Sequence, residues 1–349
     1  MGYGRRAFLG RGAAGLAGVF VGPPQTLLAS APPTGPPGAT LLKPPRLKSG
    51  DTVGLVNPVS LPLTREDADA VCAALQGVGL RVTCGSRLDA AVDDRERARE
   101  VSALFADPAV QAIVAVRGGW GSARLLPHLD YDTIRRHPKV LMGFSDVSAL
   151  LLGVHSRTGL VTFHGPMGIS SFGAFTVAQM RRVLFQCTPV RLGGPDAPDR
   201  EASPAEGGHL TIVPGRARGR LLGGNLTVLS SMVGSPYLDT GADLVLFLED
   251  VREPLSEVSR MLTQLELAGL LGRVRAVVFG QCTRCMPPQA DASLSLDRVL
   301  REQIGPLGVP AWRGALIGHI ERQLTLPIGV EVEVDAEAGT IQLLEAAVS

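Results

Sequence analysis

Short, almost wholly apolar runs recur along the first half of the chain at residues 52–56, 80–84, 112–116, 140–142 and 160–163. Runs of this length with little alternation predict strands buried on both faces, as in a parallel sheet. The segments between them have helical spacing. From Thr64, with Asp67 three positions on as a capping-box-like start, Ala68, Val71, Leu75 and Val78 form one stripe. Residues 93–105 predict a charged helix that turns Val101, Leu104 and Phe105 inward. A helical stretch leads toward His137, and another helix runs from about Asp146 to Arg157. The β-α-β-α-β rhythm predicts a doubly wound, flavodoxin- or Rossmann-like α/β domain.

The second half is patterned differently. Residues 189–214 are polar and rich in Pro and Gly, which predicts a linker or surface excursion. Beyond them come predicted strands at 244–248 and 276–279, an amphipathic helix at 258–268, and a final strand pair at 330–334 and 340–344. The expected organisation is an N-terminal α/β domain at 47–168, a linker at 169–206 and a smaller mixed α/β domain at 207–349, with a cleft between the domains. No internal repeat is apparent.

The first residues read as a leader. Arg5-Arg6-Ala7-Phe8-Leu9 precedes a modestly apolar Gly/Ala stretch, and Ala29-Ser30-Ala31 offers the small residues of a cleavage site. Residues 1–31 therefore resemble a twin-arginine export signal, with a periplasmic or secreted protein as the consequence. The apolar run falls short of the ~20 residues of a membrane span, so no membrane anchor is expected. Residues 32–46, rich in Pro and Gly, predict an extended tether, with folded sequence starting near Leu47.

Composition narrows the function. Of 349 residues, 45% are hydrophobic and 19% charged, enough apolar material for two cores. Lys and Arg (34) nearly balance Asp and Glu (33) without a long run of one sign, which argues against a dedicated nucleic-acid surface. The five cysteines include Cys282-Thr283-Arg284-Cys285, which has half-site spacing but no second pair to complete a zinc site. The expectation is incidental thiols and no metal; a disulfide stays open for an exported protein.

Three residues at predicted strand ends carry the chemistry. Ser145 follows Gly143-Phe144 after the 140–142 strand, Glu249 ends Leu246-Phe247-Leu248, and His319 follows Gly318. A serine hydroxyl becomes a nucleophile when an imidazole removes its proton, and a carboxylate holds that imidazole in one tautomer. An oxyanion formed on attack needs two N–H donors: the amide of Asp146 in the first helical turn, and one from the Gly118-Gly119 turn at the same sheet edge. Spacing alone leaves ordinary readings open, since a serine before a helix is commonly a cap and a histidine in a glycine loop commonly structural.

The segments Leu47-Lys48-Ser49-Gly50-Asp51-Thr52-Val53-Gly54, Arg117-Gly118-Gly119-Trp120-Gly121-Ser122-Ala123-Arg124-Leu125-Leu126, Gly143-Phe144-Ser145-Asp146, Thr162-Phe163-His164-Gly165-Pro166-Met167, Gly223-Gly224-Asn225-Leu226, Phe247-Leu248-Glu249-Asp250, Arg260-Met261-Leu262-Thr263-Gln264-Leu265 and Gly318-His319 with Thr325-Leu326-Pro327-Ile328-Gly329 together resemble the LD-carboxypeptidases. This is serine peptidase family S66, which also contains the microcin C immunity peptidases. The resemblance implies a homodimeric two-domain serine peptidase without metal or organic cofactor, acting on peptidoglycan-derived peptides. Its typical reaction cleaves diaminopimelate from the terminal D-Ala of murein tetrapeptides. It further implies Ser145 as nucleophile, His319 as general base, Glu249 as its orienting acid, and the amides of Gly119 and Asp146 as the oxyanion hole.

Departures bear on substrate more than on chemistry. Trp120 stands where Tyr is usual, Gln323 replaces a common Asn, and Ser256, Glu257 and Ser259 replace a segment that often carries Tyr, a basic residue and Asp. Export is a further departure from a family that typically recycles murein peptides in the cytoplasm. Arg117 is a candidate for a substrate carboxylate or for an ion pair supporting the glycine loop. Trp120 is a candidate pocket wall, and His164 either lines the cleft or holds structure by hydrogen bonding. Two other enzymatic readings are an α/β-hydrolase, disfavoured by Val147 where the elbow needs a small residue, and a peptidase of aminoacyl-nucleotide amides. An exported solute-binding protein would share the two lobes but needs no aligned Ser, Glu and His.

Overall fold

The computed structural model describes residues 41–84, 93–194, 208–239, 241–287 and 293–349. The expected export signal and most of the expected tether lie outside the described residues.

The first sheet contains β1 (Thr52–Val56), β2 (Arg81–Cys84), β3 (Ala112–Ala115), β4 (Val140–Gly143), β5 (Thr162–His164) and β12 (Leu326–Ile328). Its order is β12-β5-β4-β3-β1-β2. The five strands from the N-terminal half run parallel, as their spacing predicts, and their order is that of a doubly wound sheet. Connecting helices are α1 (Arg65–Gly77), α2 (Asp94–Ala106), α3 (Tyr131–Arg136) and α4 (Ser148–Thr158). Their starts are chemically specified: the Asp67 amide donates to Thr64 Oγ at 3.1 Å, and the Glu96 amide to an Asp93 carboxylate oxygen at 2.8 Å. β3 and β4 are buried along their whole length, as continuous apolar runs require.

The second sheet contains β6 (Arg191–Gly193), β7 (Leu210–Val213), β8 (Arg216–Asn225), β9 (Leu244–Val251), β10 (Val274–Thr283), β11 (Ala311–Arg313), β13 (Glu331–Asp335) and β14 (Thr340–Leu343), in the order β6-β14-β13-β8-β9-β10-β11-β7. β8, β9, β10 and β11 are parallel, and the flanking strands join antiparallel. With eight strands against six, this sheet is the larger one. Helices α6 (Leu226–Met232), α7 (Leu255–Leu267) and α8 (Leu296–Gln303) follow β8, β9 and β10. Phe247 and Phe279 are fully buried in this half, Phe105 and Phe163 in the other. Burying each such ring stabilises the fold by on the order of 2–3 kcal/mol.

Several boundaries differ from expectation. The segment read as a linker carries α5 (Ala174–Leu184), whose Met180, Val183 and Leu184 are buried, and β6, which pairs with β14. Its polarity reflects short edge elements, and β7 closes the far edge of the same sheet. Folded structure also starts before Leu47. Leu42 bridges to Leu160, and Arg46 and Pro44 exchange backbone hydrogen bonds with Ser349 at 2.9 Å each. Pro44 has no N–H to donate but its carbonyl accepts from the Ser349 amide, so the tether's end is tied down as a strap. β12, from the C-terminal half, pairs antiparallel with β5, so the two halves share a sheet.

The thiol expectation is corrected as well: Cys282 and Cys285 form a disulfide at the end of β10. Among the described residues no helix is long and apolar enough to cross a membrane.

Candidate active site

Ser145 lies just beyond β4, and its φ of +61° is in the left-handed region that a non-glycine residue rarely occupies. The elbow lifts the side chain off the sheet edge. A short 3-10 turn over Ser145–Val147 then runs into α4, so the Asp146 amide is a first-turn donor. Asp146 also fixes the elbow from outside, because the Ser122 amide donates to Asp146 Oδ2 at 2.8 Å and the Ser122 hydroxyl donates to the Asp146 carbonyl. The loop after β3 closes over Ser145 at Gly118. A Cβ there would lie 2.8 Å from Ser145 Cβ and 2.9 Å from Oγ, so only glycine permits this approach. Gly119 follows immediately.

Glu249 comes from β9, where it pairs with Asn225 of β8, and it is 0% exposed. His319 comes from the loop between β11 and β12. Its Nδ1–H donates to Glu249 Oε2 at 2.8 Å, and the Ser145 hydroxyl donates to its Nε2 at 2.9 Å. Gly318 makes this possible: its φ is +107°, and a Cβ would stand 2.6 Å from Glu249 Oε2. The His319 ring rests edge-on against Phe144 with centroids 5.0 Å apart. Burial works to raise the Glu249 pKa, but the flanking imidazoles of His164 and His319 outweigh it and hold the carboxyl at about 2. The acid is therefore ionised wherever His319 could serve as a base. Ser145, His319 and Glu249, expected from sequence as a triad, thus stand in hydrogen-bonded line.

The other candidates are placed unequally. Trp120 is 54% exposed, and its carbonyl accepts from the Ser60 amide at 2.8 Å, which ties the glycine loop to the turn after β1. Arg117 Nη1 donates to the Pro62 carbonyl at 3.0 Å and braces the same turn. His164 is 2% exposed, and its Nε2 is 3.7 Å from Glu249 Oε1. A substrate contact for His164 is thereby corrected: the ring is sealed beneath the triad, between Phe144 and Phe247.

One polar network escaped the sequence reading. Asp250, next to Glu249, accepts from Asn225 Nδ2 at 3.0 Å, from the Thr227 amide at 2.9 Å, from the Thr227 hydroxyl at 2.8 Å and from its neighbour Val251's amide at 2.8 Å. Burial and the adjacent Glu249 charge still push its pKa up to about 6, against those donors. The Asn225 amide in turn donates to Ser148 Oγ at 3.1 Å, which links β8 to the first turn of α4. The available signal was a polar residue closing each of two strand runs, Asn225 after Gly223-Gly224 and Glu249-Asp250 after Leu248, and the structure registers Asn225 against Glu249. Among the described residues no group of three His, Cys, Asp or Glu side chains converges as a metal site.

Comparison with known proteins agrees with this layout. The LD-carboxypeptidase N-terminal domain matches residues 53–165, and the LD-carboxypeptidase C-terminal domain matches residues 218–334. A probable murein peptide carboxypeptidase of Bacillus subtilis is 36% identical over 318 residues, which is 88% of this chain and 95% of that protein. The solved structure of MccF in complex with glutamyl sulfamoyl guanosine superposes with a TM-score of 0.78 at 28% identity, covering 88% of this chain and 100% of that one. A muramoyltetrapeptide carboxypeptidase from Oxalobacter formigenes superposes with a TM-score of 0.71 at 27% identity, covering 84% and 97%.

Proposed function

This chain belongs to the LD-carboxypeptidase family of serine peptidases, and from that premise we propose that it removes the terminal D-Ala of murein tetrapeptides through an acyl-enzyme on Ser145. The observation that carries this reading is the continuous hydrogen-bonded line from Ser145 through His319 to Glu249.

In the first half-reaction Ser145 Oγ attacks the carbonyl carbon of the scissile amide while its proton passes to His319 Nε2. Glu249, ionised and bonded to Nδ1, stabilises the imidazolium as it forms. The amides of Gly119 and Asp146 receive the negative oxygen of the tetrahedral intermediate. When that intermediate collapses, the C–N bond breaks and His319 hands its proton to the D-Ala amine. Water then attacks the ester as His319 takes its proton, and the Ser145–acyl bond breaks with return of a proton to Oγ. Arg117 is suited to a substrate carboxylate by bidentate geometry, and exposed Trp120 to walling the pocket. In this reading the protein is exported by its twin-arginine leader, works as a homodimer, and meets peptides of the intact wall.

A second reading follows from the MccF superposition: the same triad would hydrolyse an aminoacyl-nucleotide amide. The test incubates the protein, and Ser145→Ala, with L-Ala-γ-D-Glu-meso-diaminopimelate-D-Ala and follows free D-Ala by mass spectrometry. The expected result is release by the wild type and a loss of at least about 10⁴-fold in the variant. No release from the peptide, with turnover of an aminoacyl sulfamoyl nucleotide, would favour the second reading.

A further inference from the structure

Glu249 is bonded on one side only. Its Oε2 receives the His319 N–H, while Oε1 is buried and has no hydrogen-bond partner among the described residues. An ionised carboxylate with one bare oxygen in an apolar interior is costly, and the polar side-chain atom facing Oε1 is His164 Nε2, at 3.7 Å. Neither ring nitrogen of His164 has another partner. The ring is 2% exposed and flanked by Phe144 and Phe247, with centroids 6.0 and 5.3 Å away, which offer it no hydrogen-bond partner. The backbone fixes its position too. His164 is the last residue of β5, registered against Gly143 of β4 on one side and Leu326 of β12 on the other. It thus sits between the strand that delivers Ser145 and the strand that follows His319.

We propose that His164 is a positioning residue of the reaction: the tautomer carrying its proton on Nε2 presents that N–H to Glu249 Oε1, keeping the carboxylate ionised and turned toward His319. The inference rests on the reading of Ser145, His319 and Glu249 as the triad. The site then has two imidazoles on one carboxylate, one that moves protons and one that holds the acid still. At 3.7 Å the two atoms are within ion-pair range and a small approach of the side chains closes the N–H···O contact. Asp250 is the other ionisable neighbour of Glu249, and its carboxylate is engaged with Asn225, Thr227 and Val251.

The test uses the rate at which a small fluorophosphonate labels Ser145, which reports nucleophile activation whatever the natural substrate. It compares wild type, His164→Phe and His164→Asn, with melting temperatures for each. A packing role favours Phe, which keeps the ring and the apolar surroundings; a donor role favours Asn, which keeps an N–H. The expected result is a fall of roughly ten- to a hundredfold for His164→Phe, with partial recovery in His164→Asn although Asn is the less stable of the two. Wild-type labelling by folded His164→Phe, or an order of rates that follows the order of melting temperatures, overturns the proposal and leaves Ser145 as nucleophile. Labelling that survives Ser145→Ala overturns the triad reading itself, and this proposal with it.

Discussion

At the scale of single residues, the site depends on two glycines and one strained serine. Ser145 holds a left-handed backbone, and Gly118 and Gly318 leave out the methyl groups that would separate it from the oxyanion loop and His319 from its acid. These residues were legible in the sequence, because strand ends followed by Gly and a reactive side chain mark the carboxyl edge of an α/β sheet. His164 and Asp250 were not legible in their roles. A buried polar residue is recognisable only from what surrounds it, and their neighbours come from strands distant in sequence. Glu249→Gln tests the acid's part directly. Gln matches the shape but carries no charge to stabilise the His319 imidazolium. Turnover is expected to drop by about 10³- to 10⁴-fold with KM little changed, as measured by steady-state D-Ala release.

At the scale of elements, the junction between α4 and β8 joins the layer carrying Ser145 to the layer carrying Glu249. Ser148 opens α4, and its hydroxyl accepts the amide of Asn225, which also caps α6 through the Val228 amide at 3.1 Å. Ser148→Ala leaves the buried Asn225 amide without that acceptor. It is expected to cost about 1–3 kcal/mol, read as a lower urea midpoint with unchanged slope. Helix starts such as Thr64 and Asp93 were visible from their capping residues, and the buried strands from their apolar runs. The short edge strands β6 and β7 were not. A strand of three or four residues bordered by Pro and Gly looks like a loop until a partner strand supplies its hydrogen bonds, and those partners, β14 and β11, lie far along the chain.

At the scale of the whole molecule, the charges beneath the site couple folding to pH in opposite senses. The folded Glu249 has its pKa lowered from 4.5 to about 2, so its contribution to stability is present above about pH 4.5 and is lost as pH falls toward 2. Asp250 is raised from 3.8 to about 6, so between those values the folded state holds a proton the unfolded chain has released, and stability falls as pH rises. Glu249→Gln has no carboxyl to titrate at this position. The difference in unfolding free energy between wild type and this variant is therefore expected to shift against the wild type as pH drops from 4.5 to 2, measured by denaturant titration at each pH. The pairing of β12 with β5 has a mechanical corollary. The strand that follows His319 is woven into the sheet that carries Ser145, so the His319 loop is anchored at its far end in the layer of its hydrogen-bond partner. Ser145 and the end of the His319 loop are thus stitched into one fabric, and the seam between β5 and β12 helps set the spacing between them.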